Sequence, residues 1–175
     1  MFVDANIDWS KCHNGLMLCS WEETQKLMPE VVPVITPLIP TLEKDISEYV
    51  IDVKVHKLMP GEWPCIPNWH FDFVPRTSAT GKRLLNERVK DKMYIWISNS
   101  PLTEFKNRKG SWFIKEKTWT PFTQYDLHRG TQSEEHTWRG FIRIIPTSFI
   151  HPGTQNINQI RRHSQVYLDA ETFTW

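Results

Sequence analysis

In the string Asn68-Trp69-His70-Phe71-Asp72-Phe73 an imidazole and a carboxylate stand two residues apart. In an extended strand that spacing aims both at one point from one face, while Trp69, Phe71 and Phe73 pack on the other. Converging nitrogen and oxygen donors are part of a metal site, although a bare His-x-Asp also arises by chance or from a structural histidine. A second cluster supplies a third donor: Leu127-His128-Arg129-Gly130, followed by Trp138-Arg139-Gly140-Phe141-Ile142-Arg143-Ile144. The polar run 130–135 between them suits a turn joining antiparallel strands. His128 can then complete a two-histidine, one-carboxylate set with open positions, the arrangement suited to non-haem Fe(II) oxygen chemistry.

Arg139, Phe141 and Arg143 share a strand face by the same alternation. Two inward guanidinium groups are costly unless anions pair with them, and a dicarboxylate would supply those anions. The alternative turns both arginines to an outer surface, with Trp138, Gly140, Ile142 and Ile144 facing the core. His136 and His151 compete with His128 as third ligand. His136 lies at odd separation from Arg139 and faces the opposite way if the strand begins that early, and His151 precedes Pro152-Gly153 in a loop. His13, His56 and His163 have no sequence partners and read as structural or surface histidines.

The order His70-x-Asp72, then His128, then Arg139 eleven residues later and Arg143 fifteen later resembles the motif of the Fe(II)/2-oxoglutarate-dependent dioxygenases. The His-to-Arg spacing is most similar to the taurine-dioxygenase and phytanoyl-hydroxylase branches, and the resemblance covers about residues 50–149. It implies a double-stranded β-helix, the cupin-like jelly roll. It also implies Fe(II) held by His70, Asp72 and His128, and 2-oxoglutarate anchored by Arg139 with the Thr103 hydroxyl beside it. Arg143 matches a position that contacts substrate or cosubstrate. The implied activity is oxidation of a C–H substrate, usually hydroxylation, with release of succinate and CO2. The chain is short for such an oxygenase. Two other classes fit parts of the sequence. Pro60-Gly61-Glu62 ahead of His70 is similar to cupins, which suggests a metal enzyme that does not use 2-oxoglutarate. A non-enzymatic jelly-roll module could instead grip nucleotides or sugars through the basic segment 76–92 and exposed Trp96, Trp112 or Trp119.

Positioning such a set takes strands, and 12 prolines spread along the chain argue against long helices. Residues 49–58 alternate, with Ile51, Val53 and Val55 on one face and Asp52, Lys54 and His56 on the other, the pattern of a half-buried strand. Met59-Pro60-Gly61-Glu62 then turns the chain. Further strands are expected at 69–74, 93–98, 111–117, 124–129 and 137–145. Ser20 and Glu23 form a capping box for a short helix over 21–28. The resulting class is mainly β with a few short helices. The segment 76–92 carries six basic residues against Glu87 and Asp91, a net +4. It reads as a flap with a short helix near 84–89, whose Lys82 and Arg83 could meet an anionic substrate.

The 175 residues are expected to form one domain, with a helical and Pro-rich extension over 1–48, a jelly-roll core over 49–150 and a C-terminal extension over 151–175. Lys plus Arg is 21 against 20 Asp plus Glu, a net charge of +1, so any charge-driven binding is local. The substrate class, small molecule or nucleotide and nucleic acid, stays open. The longest apolar run, 31–40, is broken by Pro33, Pro37 and Pro40 and falls short of the roughly 20 residues a spanning helix needs, so no membrane partner is expected. No secretory signal is visible, which suggests the cytoplasm. Cys12, Cys19 and Cys65 are too scattered for a disulfide framework and read as packed thiols.

Overall fold

The computed structural model of the chain describes residues 1–77, 79–151, 154, 157–161 and 164–169. Its strands are β1 (Gly15–Cys19), β2 (Tyr49–Leu58), β3 (Met93–Ile97), β4 (Thr103–Asn107), β5 (Gly110–Phe113), β6 (Thr120–Phe122), β7 (Leu127–Gly130), β8 (Thr137–Pro146) and β9 (Gln159–Arg161). They pair antiparallel into a six-stranded sheet, β6-β3-β8-β2-β1-β9, and a three-stranded sheet, β5-β4-β7. The helices are short: α1 (Trp21–Leu27), α2 (Val32–Ile35) and several single 3-10 turns. Among the described residues no helix is long and apolar enough to cross a membrane.

The Ser20 hydroxyl accepts from the Glu23 amide at 3.1 Å, as the capping box predicts, and α1 starts at the next residue. Pro29, Pro33 and Pro37 then break the chain into turns that lie on one face of the large sheet. Met28, Val31, Val34, Ile35 and Leu38 bury there against Ile51, Val53, Ile142 and Ile144. Gly140 is what lets this layer close, because a Cβ there would collide with the Trp9 ring.

The opposite face of the same sheet meets the small sheet. Met93, Ile95, Ile97, Phe141 and Ile145 pack there with Phe105 of β4 and Phe122 of β6. Strand β2 pairs with β8 along its whole length, with Asp52 opposite Arg143, Lys54 opposite Phe141 and His56 opposite Arg139. These side chains share the inner face. The expectation of a half-buried β2 with Asp52, Lys54 and His56 in solvent is therefore corrected: Asp52 and His56 are buried, because the sheet is covered on both faces. The reading of both arginines as outer-surface residues fails for the same reason.

Other expected elements shift. The strand over 69–74 is absent; only His70 makes an isolated bridge, to His128. Pro67 and Pro75 flank the segment, and Phe73 takes a left-handed φ of 51°, which no continuous strand accommodates. The strands expected at 111–117 and 124–129 contract to β5 and β7, and the helix near 84–89 is a single 3-10 turn, Leu85–Glu87. Strands β1, β4, β6 and β9 were not expected at all.

Candidate metal centre

His70 and His128 face each other across their bridge, each amide donating to the other's carbonyl at 2.9 and 3.0 Å. Their rings stand 4.4 Å apart. His70 Nδ1 lies 2.8 Å from the Asn68 carbonyl, and His128 Nδ1 lies 3.1 Å from the Asp126 carbonyl. A carbonyl only accepts, so each Nδ1 carries a proton and each Nε2 is the ring atom left to ligate, the outer hydrogen bonding that orients metal-ligating imidazoles. Both Nε2 atoms turn to Asp72, 3.8 Å from Oδ1 for His70 and 3.5 Å from Oδ2 for His128. The three donors lie within 4.8 Å of one another. His-x-Asp thus converges without a strand: the bridge fixes His70, and the left-handed Phe73, its carbonyl held by Gln124 at 2.7 Å, closes the turn beyond Asp72.

Burial and the neighbouring His128 keep the His70 imidazole neutral, its pKa pulled down to about 4. Burial alone would raise the Asp72 carboxyl. The Arg143 guanidinium and the imidazole of His128 outweigh it and hold the group well below the usual carboxylate range. Arg143 Nη1 donates to Asp72 Oδ2 and Nη2 to Asp52 Oδ2 at 2.7 Å. The two carboxylates raise the Arg143 pKa despite its burial. Asp52 Oδ1 in turn accepts the Leu18 amide at 2.8 Å, where β1 slips register against β2. A chain of charge thus runs from a bulge in β1 through Asp52 and Arg143 to Asp72.

Arg139, four residues away on the same face of β8, is 1% exposed. Its Nε donates to the Ser100 carbonyl and its Nη2 to Thr103 Oγ1, each at 3.1 Å. Among the described residues no carboxylate lies within ion-pair distance, and burial pulls its pKa down to about 10. Lys54 Nζ lies 5.4 Å from the centre of the Phe141 ring, the Arg139 guanidinium 5.7 Å from it, and Lys54 also has no ion pair among the described residues. Burial first, then Arg143, lowers the Lys54 pKa. His56, opposite Arg139, is held neutral by burial and by Arg139. Beyond a weak approach to the Pro64 carbonyl, neither of its ring nitrogens finds a hydrogen-bond partner. Among the described residues no carboxylate pairs with a cation in this lobe of the interior.

No family model matches the chain, and no curated protein does. Among solved structures, a prolyl 4-hydroxylase from Phytophthora capsici aligns over 74% of this chain and 42% of its own length, at 13% identity and a TM-score of 0.38. The chain therefore spans less than half of that protein. Similarity at this level identifies neither fold nor activity.

The remaining sequence-derived candidates separate cleanly. Thr103 does stand beside Arg139, whereas Arg143 is taken up by Asp52 and Asp72. His136 and His151 are exposed and outside the trio, and His163 lies outside the described residues. Arg83 lines a cavity of about 170 Å³ together with His70, Asp72 and Arg76. Lys82 is exposed and is not among the walls. Sequence reasoning missed Asp52, Lys54 and Arg76. The signal for the first two was present in β2, whose ionisable residues fall on one face.

Proposed function

We propose that the chain is an Fe(II)- and 2-oxoglutarate-dependent oxygenase on a double-stranded β-helix, oxidising a C–H bond of a substrate still to be identified. One observation carries this reading. A buried guanidinium without an anion, Arg139, shares an interior with a His–Asp–His trio whose Nε2 atoms are both presented to one carboxylate. The antiparallel orders β6-β3-β8-β2 and β5-β4-β7, with His70 bridged to β7, support the jelly-roll description.

The donor set fits the proposed groups. Two imidazoles and one carboxylate leave positions open on a metal that prefers mixed nitrogen and oxygen ligands. Among the described residues, Arg139 has no ion-pair partner and the His56 nitrogens have at most a weak approach to Pro64, so this lobe fits a polar, anionic guest. Bound Fe(II) with 2-oxoglutarate would activate dioxygen as the oxidant, one oxygen atom going to the substrate and the other to succinate as CO2 is released. The chain's own residues do the rest. His70, His128 and Asp72 hold the metal, and the backbone carbonyls at Asn68 and Asp126 keep both rings oriented. Arg143 fixes the Asp72 carboxylate. Arg139, itself positioned by Ser100 and Thr103, receives the distal carboxylate in a charge-assisted pair, each bond of which contributes roughly 1.5–3 kcal/mol. Lys54 adds positive potential on the same face. Phe105, Phe122 and Phe141 wall the interior and exclude water, which strengthens these interactions.

Anaerobic titration tests the reading. The folded protein should bind one Fe(II) per chain and develop a visible charge-transfer absorption when 2-oxoglutarate is added, and His70→Ala should abolish both. Folded protein that takes up no iron, or an Ala variant that binds it equally well, overturns the assignment.

A further inference from the structure

Three cross-strand pairs follow one another on the inner faces of β2 and β8: Asp52 with Arg143, Lys54 with Phe141 and His56 with Arg139. Successive pairs are two residues apart, about 6.6 Å along the strands. The first belongs to the metal end, because Arg143 also holds Asp72, and the last carries Arg139 with its neutral acceptors. Lys54 stands between them and leans to the metal end. The charged groups acting on it are Arg143, Asp52 and Asp72 with the Cys65 thiol, whereas Cys65 is the group that acts on Arg139.

Among the described residues the Lys54 ammonium makes no hydrogen bond and no ion pair; its contact is the face of the Phe141 ring. A second donor at this end is unused. Arg143 gives its two Nη groups to Asp72 and Asp52, and its buried Nε donates to nothing among the described residues. A buried donor without an acceptor is costly, and one anion can relieve both in charge-assisted hydrogen bonds. The interior is open at this point: Lys54, Cys65, Asp72 and Arg143 are half-buried, while His56, Phe141 and Arg139 are buried. Asp52 and Asp72 match Lys54 and Arg143 charge for charge, so a divalent metal leaves this end with an excess of positive charge. A dicarboxylate gripped by Arg139 at one end can present its other carboxylate to Lys54, one step along the face.

We infer that Lys54, assisted by Arg143 Nε, binds the carboxylate adjacent to the 2-oxo group of the cosubstrate, so that Lys54 and Arg139 divide its two carboxylates between them. This rests on the oxygenase reading and adds to it a second carboxylate subsite with its own residue. Lys54 then acts by direct contact at the metal end and not merely by raising the potential around Arg139.

The test titrates the anaerobic Fe(II) protein with two acids, 2-oxoglutarate and 2-oxobutyrate, the second of which lacks the distal carboxylate. The visible charge-transfer band reports the first, and the second is read by its own band or by displacement of 2-oxoglutarate. Lys54→Met should weaken both acids by the same factor, about 3- to 10-fold, and should move the band maximum, because a donor to the chelating carboxylate is lost. Arg139→Met should weaken 2-oxoglutarate by about 10- to 100-fold, change 2-oxobutyrate less than about 2-fold and leave the band in place. Lys54→Gln should show the same pattern as Lys54→Met and serves if the Met variant does not hold iron. A Lys54 variant that weakens 2-oxoglutarate alone places Lys54 at the distal carboxylate and overturns the inference, as does one that binds both acids like the wild type. A wild type that gives no band with 2-oxoglutarate overturns the oxygenase reading and this inference with it, whereas a wild-type band with unaffected Lys54 variants removes the inference alone.

Discussion

Arg139 and Arg143 sit on one strand, four residues apart, on one face, yet their surroundings are opposite in kind. Arg143 lies between Asp52 and Asp72 and has a matched set of charges. Arg139 has only neutral acceptors, Ser100 and Thr103, with Lys54 on the same face and neutral His56 opposite. A buried ion pair is roughly neutral to stability while intact and costly to break from one side, whereas an unpaired buried cation is a standing cost. The Arg143 end is therefore structural, completed by the chain itself. The Arg139 end is incomplete, and on the proposed function its missing partner is the cosubstrate.

The sharpest way to break this contrast is to remove one member of the completed end. Asp52→Ala leaves Arg143 with a single partner and the Leu18 amide without its acceptor. It should cost about 3–5 kcal/mol and lower the melting temperature by roughly 10 °C. Calorimetry reads both values, and a loss below about 1 kcal/mol would show that the charge chain from β1 to Asp72 is not structural.

Acid should act next most strongly. The folded state holds His70 neutral, with a pKa of about 4 against 6.5 for the free side chain. The unfolded chain therefore binds the extra proton in that window. Stability is full above pH 6.5 and falls as pH drops toward 4, by on the order of 3 kcal/mol. His56 acts with the same sign, because its pKa is also lowered. Asp72, held below the usual carboxylate range, gives up its contribution only at lower pH still. Denaturant melts at pH 7, 5.5 and 4.5 should show this loss, and His70→Phe should flatten the slope.

The incomplete end should respond with the opposite sign. Arg139→Met removes an unmatched buried cation and should leave the ligand-free protein unchanged or more stable by about 1–3 kcal/mol, while Arg143→Met destabilises it. Paired thermal melts decide this, and equal destabilisation by both would erase the distinction. The smallest expected effect is that of Lys54→Met, which should weaken 2-oxoglutarate by about 3- to 10-fold, roughly 1 kcal/mol, as read by calorimetric titration.

Much of this was legible before any coordinates. Regular alternation gave β2 its bounds and Ser20 gave α1 its start, because both depend on local chemistry. The convergence of His70, Asp72 and His128 was also readable, but for a partly wrong reason: a bridge and a left-handed residue replace the strand. The role of Arg143 was not readable. Its partner Asp52 comes from a strand 91 residues earlier, and its surroundings depend on which face of β2 is covered. Short strands such as β4, which ends in exposed Lys106 and Asn107, carry too little pattern to stand out. Arg76 was invisible as the bridge partner of Arg83, since only the local register sets them opposite one another.

The central claim, that Arg139 awaits the distal carboxylate of a metal-bound 2-oxo acid, is tested most directly by titrating 2-oxoglutarate into the anaerobic Fe(II) protein and following its visible charge-transfer band. The expected result is saturable binding by the wild type and an Arg139→Met variant that keeps its iron but needs about 10- to 100-fold more 2-oxoglutarate for half saturation. An Arg139→Met protein that saturates at the same concentration as the wild type would contradict the claim.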